Sequence, residues 1–254
     1  MSVSVPPEHR AGPGHEVPGA VAHHAATHYA ATHRQHPRIR TYHPRRTRTS
    51  PSAASALIRL LPTWGVDVDT APAHLGALFD PPLPAMLEIG SGMGEATLSM
   101  AQADPAAGII AVDVHTPGIG ALLGRAERAG LDNVRVCVGD AVELMDRLAP
   151  GSLAGIRAYF PDPWPKARHR KRRLVQPAFV RRCAELLAPG GTLHLATDIA
   201  DYAEQMLAVC AAEPRLVNTA DGFRPRPAWR PVTGYERRGI AAGRPSRDLI
   251  FERR

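Results

Sequence analysis

The chain has 254 residues, 44% of them hydrophobic, and a formal net charge of +7. That length and apolar content suit one sizeable domain with a full core and exclude a low-complexity or fibrous chain. The positive balance points to an anionic partner, and the sequence holds no apolar run of the roughly 18 residues that a membrane-spanning helix needs. Three cysteines, Cys137, Cys183 and Cys210, are odd in number and lack C-x-x-C spacing. Buried thiols in a reducing compartment are therefore expected, not disulfides or a metal site, and the expected location is the cytoplasm.

In chain order, residues 1–37 are rich in Pro, Gly, Ala and His and poor in branched apolar and aromatic side chains, which reads as a disordered tail. His24 and His28 stand four apart, but no acid or thiol accompanies them, so no metal site is expected. Residues 38–254 are read as a single domain. Arg38, Arg40, Arg45, Arg46 and Arg48 make a basic approach to Ser50-Pro51, an N-cap followed by proline at the first helical position. A short helix from Ala53 to Leu61 should stop at Pro62. Asp69 to Pro84 reads as a proline-rich linker with one helical turn between His74 and Phe79.

Met86 to Ile89 is a short apolar strand entering the loop Gly90-Ser91-Gly92-Met93-Gly94, with a helix from Ala96 to Ala103 behind it. A second strand, Gly108 to Val112, ends in Asp113 and precedes a helix from Gly118 to Ala129. A third, Val134 to Val138, ends in Gly139-Asp140 before a helix from Ala141 to Leu148. Ile156 to Phe160 is the fourth strand. A helix from Gln176 to Leu187 is closed by Pro189-Gly190-Gly191. Thr192 to Thr197 is the fifth strand, ending in Asp198, with a helix from Ile199 to Ala212. Residues 215–254 add a final strand pair with a functional loop between them. The alternation specifies an α/β fold: a Rossmann-like, doubly wound, mostly parallel seven-stranded sheet with helices on both faces.

The glycine loop reads G-x-G-x-G, and Glu95 stands where the dinucleotide fingerprint has its third glycine, which disfavours NAD. Glu88, Asp113, Asp140, Asp162 and Asp198 all fall at strand ends, the rim where open parallel sheets bind ligands. A row of acids repels a pyrophosphate. It suits a ligand with an ammonium, a sulfonium and sugar hydroxyls, and S-adenosylmethionine is that ligand. Asp113 is placed for the ribose hydroxyls, Glu88 for the amino-acid end and Asp140 for the adenine amine. Each acid taken singly is equally an N-cap or first-turn residue.

Tyr159-Phe160-Pro161-Asp162-Pro163-Trp164 reads as a strand end running into a rigid turn, because two prolines fix φ on either side of Asp162. Lys166, Arg168, Arg170, Lys171, Arg172 and Arg173 follow with no acid among them, which suits a phosphate backbone. A fixed carboxylate beside a cationic run marks a reaction centre at the edge of a nucleic-acid surface. Trp164 either stacks on a base or packs under the sheet end, and packing is the expectation.

These motifs carry a resemblance. Leu87-Glu-Ile-Gly-Ser-Gly-Met-Gly94, Val112 to Gly120, Gly139-Asp-Ala141 and Phe160 to Arg173 are joined by Leu195-Ala-Thr-Asp198, Tyr202-Ala-Glu204, Arg230 to Gly239 and Asp248-Leu-Ile-Phe251. Together they resemble the bacterial single-chain tRNA (guanine-N7)-methyltransferases, within the class I S-adenosylmethionine-dependent methyltransferases. The resemblance runs from Arg38 to the C-terminus. It implies methyl transfer from S-adenosylmethionine to N7 of a tRNA guanosine, the variable-loop guanosine at nucleotide position 46. It implies tRNA as partner, no membrane, no obligate protein partner, and a monomer or homodimer. Glu88, Asp113, Asp140 and Asp162, with Gly90 and Gly92, would contact the methyl donor, and Asp162 would be catalytic. Lys166, Asp198 and Thr233-Gly234-Tyr235-Glu236 would bind tRNA, with Arg168, Arg170, Lys171 and Arg172 added on charge. Relatives usually carry a basic residue where this chain has Gly234, so Arg237 and Arg238 are the candidates to replace it. Glu236 is the candidate acceptor for guanine N1–H and the 2-amino group, Thr233 and Asp198 for further polar contacts, and Tyr235 for stacking. Two other readings stand beside this one: a small-molecule methyltransferase on the same fold, and an RNA-binding protein without catalysis.

Overall fold

Five near-continuous apolar runs, the pattern of strands covered on both faces, form the centre of the molecule: Ala85–Ile89 (β1), Gly108–Asp113 (β2), Val134–Val138 (β3), Leu153–Tyr159 (β4) and Leu187–Thr197 (β5). They pair in parallel, β1 with both β2 and β4, β2 with β3, and β4 with β5. Leu216–Asn218 (β6) and Arg247–Arg253 (β7) add an antiparallel edge, giving the order β3-β2-β1-β4-β5-β7-β6. This is a computed structural model, and it describes residues 39–43 and 47–254. The tail over residues 1–37, the His24/His28 pair, and Arg38, Arg45 and Arg46 lie outside the described residues.

Helices cover both faces. Pro51–Trp64 (α1), Glu95–Ala103 (α2) and Thr116–Arg128 (α3) pack on one through Ala56, Leu57, Met100, Ile119 and Leu122. Ala141–Arg147 (α4), Pro177–Leu186 (α5) and Ala200–Ala211 (α6) pack on the other through Leu144, Phe179, Val180, Tyr202 and Met206. Gly234–Ala241 (α7) lies in the connection between β6 and β7. The strand order reverses between β1 and β4, so the crevice outside their carboxyl ends is the place for a ligand.

Ser50 caps α1 as expected: its Oγ accepts the Ala53 N–H at 3.2 Å, and Pro51 opens the helix. The helix does not stop at Pro62. A proline in the last turn removes a single backbone bond, and Leu60, Leu61 and Trp64 pack partly against the core to hold that turn. Strand β5 begins at Leu187, ahead of the expected Thr192. A register irregularity between Leu153 and Gly155 takes up the Pro189-Gly190-Gly191 segment, so these residues extend the strand instead of closing a helix. All three cysteines are buried free thiols. Burial pushes Cys137 and Cys210 up to about 12 and Cys183 well upward, so none is a thiolate near neutral pH. Among the described residues no helix is long and apolar enough to cross a membrane, and no cluster of metal-ligating side chains occurs.

Candidate active site

A cavity of about 350 Å³ opens where the strand order reverses. Its floor is the loop after β1, its walls are the ends of β2, β3 and β4, and its rim is closed by Thr41–His43 on one side and Thr233–Tyr235 on the other. Gly90 and Gly92 take φ +80° and +57°, left-handed values that a side chain would resist. The loop's shape is fixed by Asp113, whose Oδ2 accepts the Gly92 N–H at 2.7 Å while Oδ1 accepts the His115 N–H at 2.8 Å.

Glu88, at the end of β1, is 3% exposed, and its Oε2 accepts the Thr97 hydroxyl proton at 2.6 Å. Burial raises its pKa above the ordinary carboxylate value. Asp113 adds to the rise, and Thr97 and Arg157 oppose it. Beside it, Ser91 lines the cavity, is buried, and its Oγ has no hydrogen-bond partner among the described residues. A buried hydroxyl left this way awaits a polar ligand atom. Asp140 serves both readings of the sequence: it lines the cavity and caps α4, accepting the Val142 N–H at 2.9 Å. Glu88, Asp113, Asp140 and Asp162 are thus brought to one rim, as expected.

Asp162 sits in a turn bracketed by two left-handed non-glycine residues, Phe160 (φ +53°) and Trp164 (φ +42°). Such conformations persist only where the surroundings impose them. Trp164 is what imposes this one. It is 4% exposed, its Nε1–H donates to the Thr41 carbonyl at 3.0 Å, and the His43 ring stacks on it at 3.8 Å. The same strap donates the His43 N–H to Asp162 Oδ2 at 2.6 Å. Trp164 therefore packs and does not stack on a substrate.

The basic run divides. Lys166, Arg168 and Lys171 are exposed on or beside a 3-10 segment, Ala167–Arg172. Arg170 pairs with Asp201 at 3.0 Å, and the Arg172 guanidinium lies 4.8 Å from the Trp164 ring centroid. Arg173 corrects the expectation of a phosphate contact. It is buried and donates to the Pro163 carbonyl, Gln205 Oε1 and Asp201 Oδ2 at 2.7–2.8 Å, so it braces the Asp162 turn from behind.

Two expected tRNA contacts face inward. Asp198 is buried and accepts the Arg244 Nε–H at 2.9 Å, and it does not line the cavity. Glu236 is 2% exposed. Both of its oxygens receive Arg230 at 2.8 Å, and Oε1 also takes the Ser246 hydroxyl at 2.7 Å. Its acceptors are committed, so in this structure it cannot read a guanine edge. The reason is Arg230, fully buried and needing carboxylates around it. Asp248 supplies the others, at 2.6 and 2.9 Å. His194 then bridges Asp248 at 2.8 Å to the Tyr159 hydroxyl at 2.9 Å, so the network reaches the cavity wall.

Thr233, Gly234, Tyr235 and Arg238 do line the cavity. Thr233 Oγ1 accepts the Glu236 N–H and caps α7, and the Gly234 N–H donates to Glu95 Oε2 at 2.5 Å. A Cβ at Gly234 would lie 3.3 Å from Glu95 Oε1 and 3.4 Å from Arg237 Nη2. Arg237, itself 3.8 Å from Glu95, thus occupies the space a longer side chain at Gly234 would enter. Sequence reasoning missed Glu95, Ser91, Tyr159 and the Thr41–His43 strap. Glu95 had a signal, since it replaces the dinucleotide glycine. The strap had none beyond the nearby arginines.

A seven-stranded sheet of this order, with a glycine loop after β1 and acids at successive strand ends, defines a Rossmann-like methyltransferase. The family model described as "Putative methyltransferase" matches residues 82–249. The tRNA (guanine-N(7)-)-methyltransferase of Streptomyces coelicolor is 54% identical over 220 residues, 85% of this chain and 81% of the relative. The enzyme of that name from Nitrosomonas eutropha is 48% identical over 217 residues, covering 85% and 97%. That from Bordetella pertussis is 48% identical over 216 residues, covering 85% of each chain. The chain belongs to the tRNA (guanine-N(7)-)-methyltransferase family.

Proposed function

We propose that the protein transfers a methyl group from S-adenosylmethionine to N7 of a guanosine in tRNA, the variable-loop guanosine at nucleotide position 46. One observation carries the reading: Asp162 stands between an acid-lined cavity and the exposed cations Lys166, Arg168 and Lys171. The donor set fits the methyl carrier. Glu88 offers a carboxylate to its ammonium and Ser91 an unpartnered hydroxyl to its amino-acid end. Asp113 lines the cavity at the end of β2 for the ribose hydroxyls, Asp140 faces the adenine side, and Gly90 and Gly92 leave room for close approach. When bound, S-adenosylmethionine supplies an electrophilic methyl on a sulfonium.

Guanine N7 carries a lone pair and no proton, so the site needs no general base. Its work is alignment and electrostatics. Asp162, fixed by its strained turn and by the His43 N–H, places a negative charge where positive charge reaches the guanine. Tyr235, half-exposed at the rim and 5.2 Å from Phe160, is the stacking surface for the base. Lys166, Arg168 and Lys171 hold the phosphate backbone, with Arg40, Arg48 and Arg238 as further exposed cations. Arg170 and Arg172 contribute from positions already paired within the protein. Asp198 and Glu236 position the Thr233–Tyr235 rim without touching RNA. The test is incubation of the purified protein with labelled S-adenosylmethionine and unmodified tRNA, followed by mapping of the modified base. Label at N7 of the variable-loop guanosine is expected. Label at another base, or none on tRNA, overturns the reading.

A further inference from the structure

Between Gly222 and Ser246 the chain carries six arginines and one acid, Glu236, and that acid is buried against Arg230. Arg244 is paired with Asp198 and Arg237 lies near Glu95. Arg224, Arg226 and Arg238 have no carboxylate within 4.0 Å among the described residues. In the midst of this segment stands Trp229, 47% exposed. It is held from beneath, its ring 5.1 Å from that of His194 and 5.3 Å from the Arg157 guanidinium. Arg157 is half-buried, rests Nη1 on Met100 Sδ at 3.0 Å, and likewise has no carboxylate partner among the described residues. Arg157 and Tyr159 share a face of β4, and Tyr159 lines the cavity. At two residues along a strand, the indole's support is about 7 Å from the cavity wall.

An exposed indole resting on a guanidinium, in a segment whose other arginines include three without a carboxylate partner, is a poor seat for an apolar protein partner. It suits a flat, anionic one. We propose that Trp229, backed by Arg157, is a stacking platform for an unpaired base beside the reacting guanosine, with Arg224, Arg226 and Arg238 meeting the flanking phosphates. The platform lies in the β6–β7 connection, a segment separate from the Lys166 to Lys171 run, so the RNA would be gripped by two parts of the chain. The inference rests on tRNA being the substrate.

The test uses the full chain, with Trp229→Ala and Trp229→Phe. Loss of one stacked base raises the KM for tRNA about 5- to 150-fold in W229A, and W229F recovers most of it. Affinity for S-adenosylmethionine stays within about twofold in both, which separates the effect from a collapsed cavity. Added tRNA should also quench the Trp229 emission, read as wild type minus W229F. If wild type methylates tRNA while W229A has an unchanged KM and the difference emission ignores tRNA, the platform is wrong and the functional reading stands. If wild type leaves guanine N7 unmodified, yet tRNA quenches Trp229 and binds W229A more weakly, the platform stands and the functional reading falls.

Discussion

Asp162 and Glu88 are both acids at one rim, and their surroundings set them different tasks. Asp162 is held outward by proline, by two left-handed neighbours and by the His43 N–H. Asp162→Ala should lower the methyl-transfer rate by at least about 10²-fold, the scale of losing one preorganised electrostatic group. Binding of tRNA, measured by filter retention, should remain, and equal loss of both would mark the residue as structural. Glu88 is buried, and burial raises its pKa. The unfolded chain releases that proton near pH 4.3, about the free glutamate value, whereas the folded chain keeps it to higher pH. Over the interval between, the folded state binds the extra proton, so stability of the ligand-free protein falls as pH rises. Affinity for a cationic donor should move the opposite way, rising as Glu88 ionises. Glu88→Gln should flatten both trends, read by thermal melts and calorimetry between about pH 4 and 8. A variant with wild-type pH profiles would remove Glu88 from the donor site. The prolines around Asp162 made that residue legible in the sequence. The burial of Glu236 was not legible, because its partner, Arg230, is chosen by the fold and not by any period along the chain.

At the level of elements, α7 has its N-terminus pinned twice, by Gly234 to Glu95 and by Glu236 to Arg230. Arg230 also ties it to β7 through Asp248, and its guanidinium lies 5.4 and 5.6 Å from the ring centroids of Tyr159 and Phe160. One buried cation thereby fixes the rim helix, the edge strand and the start of the Asp162 turn together. Glu236→Ala leaves that cation short of a partner and should cost about 3–5 kcal/mol of stability in denaturant titrations. The surviving folded enzyme should show a larger rise in the KM for tRNA than in that for S-adenosylmethionine, because the rim and not the glycine loop moves. A loss below about 1 kcal/mol would mean that Asp248 alone satisfies Arg230. Strand and helix identities were legible because period and burial agree in a sheet covered on both faces. Boundaries at Pro62 and Leu187 were not, since one proline in a terminal turn costs little and a bulge can absorb Pro-Gly-Gly within a strand. The helix inside the β6–β7 connection was also hidden: eight residues with two glycines carry little periodic signal.

For the molecule as a whole, the formal charge of +7 matters less than which cations are free to meet phosphate. The sequence presents the basic run as six equivalent side chains, and the fold makes them unequal. Arg173 is buried, Arg170 is shared with Asp201, and Arg172 lies on Trp164, so removing any of these disturbs the Asp162 turn as well as the surface. Lys166, Arg168 and Lys171 are exposed and carry no ion pair among the described residues, which makes them the clean test of the RNA surface. Each phosphate contact adds roughly 0.7 to 0.9 to the slope of log affinity against log salt. The triple change to alanine should therefore reduce the slope for tRNA by roughly 2 to 3 while leaving S-adenosylmethionine affinity unchanged. An unaltered slope would place the RNA elsewhere, and the arginines around Trp229 would then be the first surface to neutralise.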